Sequence, residues 1–379
     1  MKMSNFKQLP TDLSSNFSIV GENCDPNLWI DYIRRVPGHM LKDWHLVIWD
    51  WRFDPTTADD AVYSKFNWDS WHDFIRSRDN KVEDLFLLIA NIYEAPNYHR
   101  HLSKLCDELV NMKHLDYDRI IHYSNNGSSE NIPIKQVKTI AAMSIAAWKS
   151  EAPVIEESTH AFVFLNRRPR TLRVLSVVEM LKSDLLKHGY VSCGAYDIDT
   201  NPNWIENLVP DAFRDRFPML LDGKIGQTDF RQYNIIDPRI SSAAINVIGE
   251  TSQDPMLELD QYEWIDPFLS EKTSKAFRLH QLPLWIAVQG TVAEARRLGF
   301  DVFDDVIDHS YDSEPNPHRR INMVLHQLRS FCNLGMDELN RLRRDLWPRL
   351  VVNKRRIDEQ IYHPMDTMLA EFLECIPKR

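Results

Sequence analysis

Residues Ala161, Phe162, Val163, Phe164 and Leu165 form an uninterrupted apolar run of five in a chain of 379 residues. A run so short, with no polar alternation, fits a strand buried on both faces, as in a parallel sheet flanked by helices. It stops at Asn166, Arg167, Arg168, Pro169 and Arg170. A helical pattern over 171–187 follows, and Gly189 is placed to close it as a C′ glycine. The order then recurs. Residues 243–248 read as a strand ending at Glu250, and 282–288 as a strand ending at Gly290, before a helix over 292–298. Such alternation points to a Rossmann-like α/β half.

The first third is also mixed α and β. Residues 44–50 are bulky and β-prone, 119–124 read as a strand running into a turn at Asn125, Asn126 and Gly127, and 102–112 as a helix. Apolar spacing predicts further helices over 79–93 and 134–149. The polar stretch 150–159, with Pro153, separates two well-patterned regions. The expected domains are therefore 1–155 and 160–335, followed by C-terminal helices over 336–379.

Composition excludes several classes. Hydrophobic residues make up 43% and charged residues 26%, as in ordinary globular chains, so a disordered or fibrous protein is not expected. Asp and Glu outnumber Lys and Arg by 55 to 45, a net charge of −10, which argues against a protein that coats nucleic acid or anionic membrane. Cys24, Cys106, Cys193, Cys332 and Cys375 are scattered without a CxxC pair and read as reduced thiols. No run approaches the ~18–20 apolar residues of a membrane span, and residues 1–17 lack a signal-peptide core. The expected location is cytoplasmic. No GxGxxG or GxxxxGK[ST] occurs, and glycine numbers only 11.

Three segments stand out chemically. Four arginines (Arg167, Arg168, Arg170, Arg173) fall within eight residues where a buried strand meets a helix. Open α/β sheets bind ligands at that end. Cations at a helix N-terminus are unfavourable by roughly 0.3–1 kcal/mol each unless an anion offsets them. The pattern therefore reads as a phosphate site, or as a solvated basic turn. Ser270 is placed to cap a helix beginning Glu271-Lys272, and Lys272 again puts a cation where the dipole favours an anion. An ordinary capped helix would look the same. Glu250 follows a strand, where a carboxylate accepts hydrogen bonds from a sugar diol, as any exposed glutamate there also would.

Taken together, the segments 164–173, 245–251, 268–277 and 298–312 resemble, in order and spacing, a group of fucosyltransferase-like glycosyltransferases found in phages, other viruses and bacteria. The resemblance spans roughly residues 160–330. It implies a GT-B-like architecture of two Rossmann-like domains, with the nucleotide-sugar donor in the C-terminal one and the acceptor on the side of 1–155. The helices over 336–379 are expected to pack back on the N-terminal domain. By the same similarity Arg167, Arg168 and Arg173, with Arg170, face the diphosphate, and Asn166 fixes the turn. Glu250 holds the nucleoside or sugar hydroxyls, Thr251 is counted with the donor-binding residues, and Ser270, Glu271 and Lys272 match a [ST]EK element beside the donor. Pro283 stands in the strand that follows. Related sequences often carry His where this chain has Leu172, so that position takes no role.

Transfer to an acceptor hydroxyl needs a general base. Asp50 and Asp54, among Trp49, Trp51 and Phe53, are the candidates, although a buried tryptophan cluster with surface acids would look similar. The implied chemistry is inverting and metal-independent, with Arg and Lys stabilising the departing phosphate and no cofactor beyond the co-substrate. The acceptor is a glycan precursor or a hydroxymethylated base in phage DNA, which would make the reaction a DNA modification. Asp197 and Asp199 form a DxD in a loop-like stretch, His99 and His101 an HxH, and Asp304, Asp305, Asp308 and His309 an acid–histidine cluster. None supplies a full ligand set. Residues 341–356 carry seven Lys or Arg against one Asp. They read as a basic helix face or as a nucleic-acid contact, and the latter would suit a nucleic-acid-binding accessory protein. The other alternative is a non-catalytic nucleotide- or glycan-binding protein that kept the donor pocket and lost its base.

Overall fold

A computed structural model describes residues 6–7, 17–20, 45–50, 68–78, 85–91, 98–112, 114–124, 135–138, 157–166, 169–194, 203–219, 238–250, 267 and 269–362. The chain is mixed α/β and divides into two compact units, one of them Met143–Tyr362, each built on a largely parallel sheet.

The first sheet runs in sequence order: β1 (Phe6–Lys7), β2 (Phe17–Val20), β3 (His45–Asp50), β4 (Leu85–Asn91), β5 (Ile120–Ser124) and β6 (Lys135–Lys138). Only β1 and β2 are antiparallel. Helices α1 (Trp68–Ser77) and α2 (Tyr98–Asn111) bring Trp71, Ile75, Leu105 and Leu109 against Leu85, Leu87 and Ile89 of β4. The alternate residues Phe86 and Leu88 are buried as well. Residues 79–93 were expected to be helical, but β4 occupies that stretch. A strand buried on both faces loses its period of two, so periodicity does not separate it from a buried helix. The helix expected over 134–149 is likewise replaced at its start by β6; residues 139–149, like the turn at 125–127, lie outside the described residues.

The second sheet has strand order β10–β9–β7–β8, all parallel, with β7 (His160–Asn166), β8 (Gly189–Cys193), β9 (Ala243–Gly249) and β10 (Leu282–Ile286). After β7 comes α3 (Thr171–Lys182); α4 (Trp204–Leu208) and α5 (Pro238–Ser241) follow β8. Between β9 and β10 lies α6 (Glu271–Arg278), and after β10 come α7 (Thr291–Arg297), α8 (Pro317–Leu334), α9 (Met336–Asp345) and α10 (Trp347–Tyr362). The chain moves from β7 outward to β8, then returns to the other side of β7 for β9 and β10. Right-handed crossovers in opposite directions place α3 and α6 on opposite faces. Accordingly α3 touches α8, while α6 touches α10.

Gly189 corrects one expectation. Helix α3 ends at Lys182, where Ser183 Oγ donates to the Glu179 carbonyl at 2.7 Å, and Asp184 takes the left-handed turn at φ 55°. Gly189 is extended and opens β8; a Cβ there would lie 2.3 Å from the Phe162 carbonyl oxygen. Close strand approach, rather than positive φ, demands the glycine.

The described C-terminal helices, 336–362, pack within the second unit; residues 363–379 lie outside the described residues. Arg278 Nε donates to Asp358 Oδ1 at 3.0 Å, and Asn340 brackets Ser158, accepting from its N–H at 2.8 Å and donating to its carbonyl at 3.0 Å. Among the described residues no helix is long and apolar enough to cross a membrane, and Cys106, Cys193 and Cys332 are buried free thiols.

Candidate functional site

The strand order of the second sheet reverses between β7 and β9. At such a switch point the crossovers leave in opposite directions, and a crevice opens outside the carboxyl ends of the two strands. Asn166 ends β7 and Gly249 ends β9, with Glu250 directly after it. Gly249 turns its α-carbon toward the α3 face. A Cβ there would lie 2.7 Å from Asn166 Oδ1 and 3.1 Å from Arg173 Cγ, so three groups close on one point that only glycine fits. Asn166 is 1% exposed; its Nδ2 donates to the Ser192 carbonyl at 3.2 Å, and its Oδ1 has no hydrogen-bond partner among the described residues.

Alternation turns Glu250 to the other face, onto the start of α6. Its carboxylate is 1% exposed. Oε1 accepts from the Ser270 N–H at 3.0 Å and from Thr273 Oγ1 at 2.6 Å. Thr273 Oγ1 in turn accepts from Trp285 Nε1 on β10 at 3.0 Å. Oε2 has no partner among the described residues. Ser270 caps α6 as expected, accepting from the Lys272 N–H at 3.2 Å, and Lys272 Nζ donates to the same hydroxyl at 3.1 Å. Burial pushes the Glu250 carboxyl above its ordinary range, against the opposing pull of Lys272 and of the Ser270 and Thr273 donors.

Arg173 joins the two faces. It is 3% exposed, and its Nη2 donates to the Glu250 carbonyl at 2.8 Å. The arginine thus holds the end of β9 against α3. The structure therefore brings together Asn166, Arg173, Glu250, Ser270 and Lys272 from three separate stretches of sequence. Arg170 sits at the N-cap of α3 and makes no side-chain cap bond. Arg167, Arg168, Thr251 and Asp54 lie outside the described residues, as do the side chains of Glu271 and Asp50. Asp50 is the last residue of β3.

Thr273 and Trp285 carry no signal that sequence reasoning used. Thr273 lies one turn beyond the Ser270 cap, and Trp285 pairs with Ile248 across β9 and β10. Only that register puts the indole beside the residue two positions past Ile248.

The other marked segments resolve into packing. Asp304 pairs with Arg296 at 2.7 Å, and Asp305 with Arg349 at 2.8 Å. Asp308 caps its own turn, accepting from the Ser310 N–H. His309 Nε2 lies 2.7 Å from the Val302 carbonyl, which accepts only, so Nε2 carries the proton and Nδ1 accepts from Tyr311 at 2.9 Å. No group of three or more His, Cys, Asp or Glu residues is arranged to hold a metal among the described residues. Asp197, Asp199 and the side chains of His99 and His101 lie outside them.

Part of the basic stretch 341–356 is engaged internally, while Arg341, Arg344 and Arg355 are exposed. Arg343 is fully buried, donating from Nε to the His280 carbonyl at 3.0 Å and from Nη1 to Ser158 Oγ at 3.2 Å, with its guanidinium over the Trp347 ring. Arg349 is bidentate to Asp301 and also meets Asp305. Arg341 pairs with Glu338, Arg344 with Glu157 and Lys354 with Asp358, and Arg356 caps the Leu298 carbonyl.

No family model matches the chain, and no curated protein matches it.

Proposed function

We propose that the protein is a nucleotide-sugar-dependent glycosyltransferase of GT-B-like architecture, whose second unit holds the donor at the β7–β9 switch point. One observation carries this reading. A buried carboxylate with one oxygen unengaged among the described residues, Glu250, stands beside Lys272, and Arg173 holds its main-chain carbonyl, at the crevice where open α/β sheets take their ligands. An acceptor oxygen beside a cationic donor suits a ligand that joins hydroxyls to phosphates. Breaking the sugar–phosphate bond leaves negative charge on the departing diphosphate. In the proposal Lys272 takes that charge together with Arg167 and Arg168, while Glu250 holds a hydroxyl. The acceptor hydroxyl attacks the anomeric carbon from the opposite side and gives its proton to a carboxylate base, for which Asp50 and Asp54 are the candidates, so the configuration inverts. The acceptor is a glycan precursor or a hydroxymethylated DNA base. The internal engagement of Arg343 and Arg349 favours the transferase reading over a nucleic-acid-binding accessory protein acting through 341–356.

The test is a melting-temperature screen against UDP-, GDP-, CMP- and dTDP-sugars, with and without EDTA, on the wild type and on Arg168→Ala, Glu250→Gln and Lys272→Ala. A ligand at 100 times its dissociation constant adds about 2.7 kcal/mol of stability. The expected result is a shift from one nucleotide family, kept in EDTA and lost in the three variants. A flat response across the panel removes the donor site and with it the transferase.

A further inference from the structure

Among the described residues, Glu250 meets two donors on one oxygen and none on the other. A carboxylate oxygen has two lone-pair directions. At Oε1 both are filled, by the Ser270 N–H and the Thr273 hydroxyl. The Thr273 hydroxyl has a single proton, and the Trp285 indole N–H donates to its oxygen. That bond fixes the direction of the threonine proton, which must point at Glu250. Trp285 is 1% exposed and Thr273 fully buried, so neither exchanges this arrangement for water.

We infer that Thr273 and Trp285 are positioning residues that reserve Glu250 Oε2, and Oε2 alone, for a hydrogen-bond-donating group of the ligand, a hydroxyl or an amine. The inference rests on the donor-site reading above and sharpens it. A carboxylate that grips a diol with one bond to each oxygen is excluded here, because Oε1 is already saturated. Every hydrogen bond from a ligand to this carboxylate falls on one atom. The two charged groups that face Glu250 among the described residues are Lys272 on α6 and Arg173 on α3, the latter through the backbone carbonyl; β10 contributes Trp285 and no charge.

The relay has a consequence that mere packing would not have. It donates to the ionised carboxylate, so removing it must make ionisation harder. Because burial already holds the folded-state carboxyl above its unfolded range, the stability that Glu250 contributes is present below that range and is lost as pH rises through the folded value. The experiment measures melting temperature from about pH 4 to 9 for the wild type, Thr273→Val, Thr273→Ser and Trp285→Phe, each with and without Glu250→Gln. The difference between members of each pair isolates this one titration.

Thr273→Val is expected to move the decline to higher pH, Thr273→Ser to return it to the wild-type position, and Trp285→Phe to move it in the same direction by less. A decline that stays in place in Thr273→Val, or a serine variant that behaves like valine, overturns the inference. Should the valine variant fail to fold, Trp285→Phe decides by the same displacement. A second arm uses whichever nucleotide sugar of the panel stabilises the wild type: Thr273→Val should bind it about tenfold more weakly at neutral pH, with serine restoring binding. If no sugar binds, the transferase reading fails while the titration still decides the relay.

Discussion

At the scale of single residues, two positions restrict which side chains can stand there, one by space and one by backbone conformation. Gly249 is confined by Asn166 Oδ1, Arg173 Cγ and the Phe164 ring, none of which is the loose end of an exposed chain. Gly249→Ala should therefore destabilise the protein by about 1–3 kcal/mol in denaturant unfolding and weaken donor binding, since the strain falls on the residues that shape the crevice. His280 has φ 54° and stacks on Trp347 with ring centroids 4.6 Å apart. Burial, with Lys354 and Arg343 nearby and Asp358 opposing them, depresses its pKa to about 4. The unfolded chain then takes up a proton that the folded one refuses, so stability falls as pH drops from about 6.5 toward 4. His280→Asn keeps a residue suited to positive φ and should flatten that acid limb of the melting curve.

At the scale of elements, helix α9 is docked by Leu339, Asn340 and Arg343, which form its buried face. Arg343→Ala removes the donors to the His280 carbonyl and Ser158 Oγ in a dry site. The expected cost is about 3 kcal/mol, with faster hydrogen exchange in α9 and α10 than in α8. Elements differ in how plainly the sequence announces them. Strands β3, β5, β7, β9 and β10 and helices α2, α3 and α7 are legible from composition and from the Asn, Gly and Pro residues that bound them. Strand β4 is not, because Leu85–Asn91 packs on both faces and keeps no alternation. Strand β8 is missed for the opposite reason: Gly189–Cys193 is short and half exposed. The ends of β7 and β9 were legible as strand ends and candidate positions, since Asn166 and Glu250 are the polar residues that stop apolar runs. Arg341, Arg344 and Arg355 do lie exposed, but nothing local shows that Asp301 and Asp305 lie opposite Arg349 or that Arg343 is buried. The relay through Thr273 and Trp285 depends on inter-strand register, which no local pattern encodes.

At the scale of the whole molecule, the two sheets differ in the feature that makes ligand sites. The first runs in strict sequence order among the described strands, and the second reverses between β7 and β9. A donor sugar that passes the melting screen should accordingly slow hydrogen exchange first in 243–250 and 270–286, and least in β3 and β4. Protection centred on the first sheet would relocate the donor. The near-absence of antiparallel pairing has a further consequence, for how fast the chain reaches this structure. Among the described strands only β1 and β2 can form a hairpin; every other pair waits for a crossover segment to be brought home. Few contacts close early, loop entropy is spent before pairing returns it, and apolar strands such as β4 stay bare meanwhile. Refolding from denaturant should be slow and its yield should fall with protein concentration, so the hazard in making this protein lies in the time taken to fold more than in the stability of the finished sheets.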